Sequence, residues 1–403
     1  MNAPDPKLLK ALRSHQAGRT AEAKLLYERI LRGRPNDPDA LNYLGMLHFQ
    51  RGDRARGIQM LRKSVGSAPG NPHAWVNLGN MLIGTGKDEE ATTAYERATE
   101  LAPDMWQGWF NRATCLQRLR RVPETMECLK RAIALKPDHD EAYERLGRIL
   151  YWLGERQELA ELYAAWVAFN PDNPTARHMY AAAMGEEVPD RASDEFVRVT
   201  FDKFAESFDD NLKDLGYRAP QLLADVLDRH LGPADPSSQL DILDAGAGTG
   251  LCGPLLRQRA RRLVGVDLSP AMLEKARARR TYDEIEVMEL CAFMLGRPAA
   301  YDLVVSADTL CYFGALEEAV AAAAGCLRPA GRLAFTVERL ETDDALATFR
   351  MGPHGRYLHA EHYLTAVLLS ARFVLQEVSP AVLRSELGQG VQGFVVLAQR
   401  APD

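Results

Sequence analysis

The chain has 403 residues, more than one compact core comfortably serves, so two domains of ordinary size are expected. Its 49 Lys and Arg face 55 Asp and Glu, and the net charge of -6 speaks against a protein built to grip nucleic-acid phosphates. The opening MNAPDPKLLKALRSHQAG has neither a basic n-region nor an apolar core, and the longest apolar run, near 319–327, is too short to span a bilayer. A cytoplasmic protein with no membrane and no nucleic-acid partner is therefore expected. Six cysteines, at 115, 128, 252, 291, 311 and 326, never take CxxC spacing, so no metal site and no dithiol redox pair is indicated.

From its start the chain repeats. Pro35, Pro69, Pro103, Pro137 and Pro171 are spaced by 34 residues, and Gly45, Gly79, Ala113 and Gly147 keep the same step. A third series runs through Gly18, Gly52, Gly86 and Gly154, with Arg120 in the remaining place. Within one period, AWVNLGNM and ATTAYERATEL show helical spacing on either side of the turn GTGKDEE, so each unit reads as helix, turn, helix. Small residues at 45, 79, 113 and 147 let helices approach, and Leu41, Trp75, Trp109 and Tyr143 fill the gaps.

The pattern resembles the tetratricopeptide repeat. Five units are counted, 4–37, 38–71, 72–105, 106–139 and 140–173, with 175–184 as a closing helix, so the repeat domain is expected over 1–185. The resemblance implies an α solenoid with a concave groove that holds a peptide or protein partner, or that dimerises the chain. Asn77 and Asn111 share one repeat phase and would line that groove. Their amides fit an extended peptide backbone, although asparagine also belongs to the ordinary repeat pattern at this phase.

After a polar linker, GEEVPDRAS at 185–193, a second domain is expected over 186–403. It begins with a helical lid at 195–230, where Phe196, Phe201, Phe204 and Phe208 fall near helical spacing. Their plainest role is packing on a sheet. Strands read at 240–244, 263–267, 284–289, 302–306, 333–337, 373–378 and 394–398, with helices near 252–260, 270–280 and 315–327. Alternation of this kind predicts an α/β fold with a mainly parallel sheet, and the absence of a crossover helix in SPAVLRSELGQGVQG predicts an antiparallel pair at its edge.

Chemistry concentrates in ILDAGAGTG, from Ile242 to Gly250. A dinucleotide loop needs G-x-G-x-x-G, and counting from Gly246 the last position is Leu251, so that motif fails by one residue. What remains is D-x-G-x-G-x-G, followed by Asp267 at the end of LVGVD, where a carboxylate can accept from both hydroxyls of a ribose. Ser269 and Pro270 then read as the N-cap and first residue of a helix.

On these motifs, residues 195–400 resemble a class I S-adenosylmethionine-dependent methyltransferase. The stretch FDKFAESFDDNLKDLGYRAPQLL is similar to bacterial methyltransferases with N-terminal tetratricopeptide repeats. The family implies a Rossmann-like domain with a seven-stranded sheet and S-adenosyl-L-methionine as cofactor. Carried over to this sequence, Gly246, Gly248 and Gly250 would meet the methionine half, Asp244 its amino group, often through water, and Asp267 the ribose. Leu268 would pack on adenine, and Glu289, with Leu290 beside it, would meet the adenine amino group, although aspartate is commoner there and a plain surface acid is the alternative.

The fourth strand ends in SADT, not the D/N-P-P-Y of base-modifying amino methyltransferases, and brings to the mouth of the sheet Asp308, expected to line the cofactor pocket, and Tyr312, expected to face substrate. RMGPHGRYLHAEHY, 350–363, holds His354, His359 and His362. His359, His362 and Tyr312 are the candidates for handling a proton or facing the acceptor, and Arg356 for binding an anionic group. HAEH is not HExxH, so no metal is expected there. The sequence thus leads to a methyltransferase whose repeats recruit a protein, peptide or carrier-bound substrate. Two alternatives stay open: a small-molecule O-methyltransferase that dimerises through its repeats, and a non-catalytic scaffold. Whether the acceptor atom is O, N or S is not legible.

Overall fold

A computed structural model describes residues 5–185, 188–235, 239–386 and 388–402. The chain forms two compact units, Met1–Phe169 and Asn170–Asp403. Among the described residues no helix is long and apolar enough to cross a membrane.

The first unit consists of five helix pairs: Pro6–Gln16 with Thr20–Gly33, Pro38–Gln50 with Arg54–Ser67, Pro72–Ile83 with Asp88–Leu101, Trp106–Arg118 with Val122–Leu135, and Asp140–Leu153 with Arg156–Phe169. Asp37, Asp53 and Asn71 cap helices by accepting the N–H three residues on, and Pro38 and Pro72 occupy first helical positions where no donor is needed. The periodic prolines lie two residues beyond the second helix of each pair. Two of them do more than stop a helix. The indole N–H groups of Trp75 and Trp109 donate to the carbonyls of Pro69 and Pro103, each at 2.9 Å, so proline and tryptophan together tie one repeat to the next. Gly79 and Gly147 have no room for a side chain: an added Cβ would stand 2.6 Å from the Tyr95 ring and 2.2 Å from the Tyr163 hydroxyl.

The second unit holds nine strands among the described residues: β1 Leu240–Ala245, β2 Ala260–Asp267, β3 Glu284–Val287, β4 Tyr301–Ser306, β5 Leu327–Arg339, β6 Phe349–Met351, β7 Tyr357–His359, β8 Phe373–Glu386 and β9 Gln389–Arg400. The long strands lie in the order β3-β2-β1-β4-β5-β9-β8. The first five are parallel, and β9 runs antiparallel between β5 and β8. Seven main strands and a mainly parallel sheet agree with the expectation. The short β6 and β7 form an additional antiparallel pair at the end of β5.

Both faces of the sheet are covered, which is why its central strands read as apolar runs. Ile242, Leu303 and Val305 pack with Leu223, Leu227 and Leu256 on one face. Leu243, Val264 and Val304 pack with Phe293, Val320 and Leu364 on the other.

Three expectations change. The helix at Pro174–Met184, read as closing the repeats, belongs to the second unit: His178 stacks on Phe196 at 3.8 Å and donates through Nε2 to the Gly355 carbonyl at 2.8 Å. In the linker, Glu186 and Glu187 lie outside the described residues, but the part after them is strapped down. Asp190 O accepts from Gly314 and Ala315, and Ala192 N donates to Tyr312 O. Finally, β8 extends past the expected Val378 through Pro380 to Glu386. Proline is tolerated there because, among the described residues, β8 is an edge strand whose one strand partner is β9.

Candidate functional site

The strand ends of β1, β2 and β4 and the helical cap enclose a cavity of about 220 Å³. Gly246, Gly248 and Gly250 at its base all have positive φ, +84°, +55° and +84°, a region that side chains disfavour. At Gly246 glycine is also sterically required, since a Cβ would lie 2.1 Å from Thr309 Oγ1. Above Gly248 the space is open: a Cβ there meets nothing within 4 Å, so a ligand can lie directly on the loop.

Asp267 lines the cavity at the end of β2. Its Oδ2 accepts from Gly248 N and its Oδ1 from Ser269 N, both at 2.9 Å, so loop and acid hold each other. Burial, partly offset by those N–H groups, raises its carboxyl above the ordinary value. Leu268 and Leu290 line the same cavity, as does Glu289. The Glu289 carboxylate caps the helix Leu290–Leu295, accepting from Ala292 N at 2.7 Å, and pairs with Arg191 Nη1 at 2.9 Å. Burial would raise this group, but the N–H donors and Arg191 outweigh it and keep it low.

Asp244 is not at the cavity surface. It is 1% exposed, accepts from the Tyr282 hydroxyl at 2.5 Å, and keeps Oδ1 without a partner among the described groups. Burial pushes its carboxyl up to about 7, with Tyr282 acting the other way. It supports the glycine loop from beneath, so contact with the methionine amino group would need a bridging water.

Helices Asp194–Phe204 and Phe208–Asp214 close the top. Phe201, Phe208, Leu212, Leu215 and Tyr217 line the cavity, and so do the strap residues Arg191 and Ala192. Two aspartates pin this cap to the cofactor loops. Asp202 accepts from Ser269 Oγ at 2.6 Å and Asp209 from Thr249 Oγ1 at 2.5 Å, with Arg279 also on Asp209. The aromatics of 195–230 therefore wall a ligand space as well as packing the cap.

Asp308 and Tyr312 both line the cavity. Asp308 takes φ +51°, a strained value for a residue with a side chain, and its Oδ2 meets Arg384 Nη1 at 2.6 Å. Tyr312 packs edge-on against Phe201 with ring centroids 5.4 Å apart. The histidine candidates do not join them. His359 is fully buried on β7, stacked on Tyr363, with Nε2 donating to Gly314 O at 3.1 Å, and burial lowers it to about 4. His362 is exposed on the helix Glu361–Ser370 and does not line the cavity. Neither is placed to take a proton from an acceptor, because the polar stretch that suggested a loop folds into β6, β7 and a helix.

Arg384, Glu338 and Glu386 went unrecognised in the sequence. Arg384, 4% exposed, bonds Asp308, Glu338 and Glu386. Arg356 bonds Glu338 at 2.5 Å and Glu386 at 2.6 Å, so it is held by carboxylates and does not stand ready for an anion. The signal for Glu338 was available: like Asp244 and Asp267, it is an acid ending a buried strand. In the repeats, Asn77 and Asn111 use side-chain donors on the neighbouring Asn42 and Asn80, at 3.1 and 3.0 Å.

Residues 243–335 match the family described as Methyltransferase domain, and residues 8–72, 72–105 and 126–174 match families described as Tetratricopeptide repeat. Methyltransferase-like protein 27 of Homo sapiens is 38% identical over 112 residues, 27% of this chain and 45% of its own length. Malonyl-[acyl-carrier protein] O-methyltransferase of Acetivibrio thermocellus is 33% identical over 142 residues, 35% of this chain and 48% of its own. The chain spans about half the length of these curated relatives. Among solved structures, 1,6-didemethyltoxoflavin-N1-methyltransferase of Burkholderia thailandensis, with bound 1,6-didemethyltoxoflavin and S-adenosylhomocysteine, is 21% identical at a TM-score of 0.42, covering 53% of this chain and 93% of that one.

Proposed function

We propose that this chain, a class I methyltransferase domain behind five tetratricopeptide repeats, transfers the methyl group of S-adenosylmethionine to an acceptor on a protein, peptide or carrier recruited by the repeats. The observation that carries the reading is the open cradle over Gly248, bounded by three left-handed glycines and by Asp267 at the neighbouring strand end. In this reading the glycines hold the methionine half, Asp267 the ribose hydroxyls, Leu268 and Leu290 the adenine faces, and Glu289 the adenine amino group. The bound cofactor supplies an activated methyl on a sulfonium. What the chain adds is position and dryness: the cap pinned by Asp202 and Asp209 excludes water, and Tyr312 with the Asp308 network orients the acceptor.

Calorimetry with S-adenosylmethionine and S-adenosylhomocysteine tests the cofactor half, with Asp267→Ala expected to weaken binding about 100-fold. If the folded wild type binds neither, the chain is a scaffold. Recruitment is tested by comparing the full chain with a version beginning at Asn170, which keeps the helix Pro174–Met184 that packs in the second unit. Retained S-adenosylhomocysteine binding certifies that this piece folds. Transfer to a protein or carrier acceptor is then expected to fall by at least ~10-fold. Turnover of small acceptors that survives the deletion would instead favour a small-molecule acceptor and repeats used for dimerisation.

A further inference from the structure

One wall of the cofactor cavity is charged. Asp308 from the loop after β4, Arg356 from the β6–β7 turn, and Arg384 and Glu386 from β8 all line it, and Glu338 from the end of β5 stands behind them at 1% exposure. Arg384 meets Asp308 through Nη1 at 2.6 Å, Glu386 through Nε at 2.8 Å, and Glu338 through Nη2. Arg356 meets Glu338 through Nε and Glu386 through Nη2. Two guanidinium groups thus answer three carboxylates, and the wall keeps a surplus of one negative charge. Burial would raise Glu338, but Arg356, the neighbouring His354 and Arg384 outweigh it and hold it at about 2, so that carboxylate stays ionised. The same cavity is lined by aromatic rings, Phe201, Phe208, Tyr217 and Tyr312, of which Tyr217 and Tyr312 stand within the field of Asp308 and Arg384.

We infer that the methyl acceptor is an amine, received as its ammonium form by this carboxylate surplus and the aromatic rings that line the same cavity. The inference rests on the methyltransferase reading above and names its substrate class. Aromatic faces and carboxylates both attract an ammonium, and they do so more strongly in a site shielded from water. A carboxylate acceptor meets the opposite situation. Arg356 and Arg384 are already held by acids, and the approaching anion would face Asp308 and Glu386.

The reaction balances with groups at hand. The ammonium passes a proton to the Asp308 carboxylate, which burial has raised toward proton acceptance. The freed amine lone pair forms the N–CH₃ bond while the S–CH₃ bond breaks and its electron pair stays on sulfur. A methylated ammonium and S-adenosylhomocysteine result, and Asp308 releases its proton to solvent.

The test uses the full chain with S-adenosylmethionine labelled in its methyl group and an extract of cells lacking the protein. Labelled product is split between mild alkali, which frees methyl esters as volatile methanol, and mass spectrometry, which places the methyl on nitrogen or oxygen. Alkali-stable label on nitrogen is expected. Volatile label, or a methyl on oxygen, overturns the amine acceptor and leaves the methyltransferase standing. No transfer to any component sinks both readings together. With the acceptor found, Glu386→Gln is expected to raise its KM about tenfold while S-adenosylhomocysteine affinity stays unchanged. An unchanged KM would remove the carboxylate surplus from acceptor recognition.

Discussion

The two units treat polar groups in opposite ways. In the repeats, charged pairs such as Arg62 with Glu90 and Arg97 with Glu100 stand half-exposed, where ion pairs contribute little, and the order comes from small residues seated against large ones. In the second unit, Arg384 and Glu338 are almost wholly buried and joined through a shared network. The first design tolerates surface change and is intolerant at the glycines packed against large neighbours, such as Gly79 and Gly147. The second concentrates its cost and its chemistry in a few strand ends, which is how a site gains preorganised charge. All five tryptophans, at 75, 106, 109, 152 and 166, lie in the repeats. Tryptophan fluorescence therefore reports the first unit and ligand binding reports the second, so the two can be broken separately.

The strongest break is Gly246→Ala. Its methyl would collide with Thr309 at a φ of +84°, displacing the loop that carries the cofactor cradle. Affinity for S-adenosylhomocysteine is expected to fall by ~100-fold or more, with the tryptophan unfolding midpoint unmoved. Next comes Arg384→Gln, which leaves Glu338 buried with Arg356 as its remaining guanidinium partner. A cost of about 3–5 kcal/mol is expected in the second unit, read as lost amide protection in β5 and β8. A loss spread equally over the repeats would contradict the separation of the two designs.

How far each unit could be read beforehand follows from the same contrast. The period of 34 was legible because a real clasp enforces it, Trp75 on Pro69 and Trp109 on Pro103. The cofactor loops were legible because glycines and acids at strand ends have few other reasons to be there. The acceptor wall was not, since Arg384 and Glu386 lie on β8 beyond Pro380, where a proline argues against continuing a strand unless the edge position is known. Histidines misled for a related reason. Composition marked 350–363 as a polar loop, whereas pairing with β6 and β5 buries His359, and the following helix turns His362 outward. The end of the repeats was likewise read differently, because the helix Pro174–Met184 follows the fifth unit as a closing helix would, whereas His178 through Gly355 and Phe196, and Ala182 through Met351 and Tyr357, assign it to the second unit.

A gentler break in the repeats is Gly147→Ala. Its Cβ would lie 2.2 Å from the hydroxyl of Tyr163, which is 3% exposed and has little room to yield. A loss of about 1–3 kcal/mol is expected in the tryptophan transition, with cofactor affinity unchanged. Gly66→Ala is its control, since no atom lies within 4 Å of the new methyl, and there helix propensity should stabilise by about 0.5–1 kcal/mol. Equal destabilisation by both would mean that packing against tyrosine does not set the repeat spacing.

The mildest effect separates the units by pH. In the second unit burial lowers His178, His354 and His359 from 6.5 to about 4, with Arg356 adding to the effect at His354. A histidine held neutral in the fold stabilises it fully above the unfolded value of 6.5. That contribution is lost as pH falls through the folded value near 4, because unfolding lets the ring take up a proton. At pH 5.5 each of the three should cost the second unit about 1 kcal/mol relative to pH 7.5. In the repeats burial lowers His48, against three such rings in the second unit, so the loss in the repeats over the same interval should be smaller. Unfolding followed by S-adenosylhomocysteine binding should therefore shift more between pH 7.5 and 5.5 than unfolding followed by tryptophan. Replacing His359 by Phe should flatten the first curve and leave the second as it was. Parallel shifts in both would show that buried histidines do not distinguish the two units.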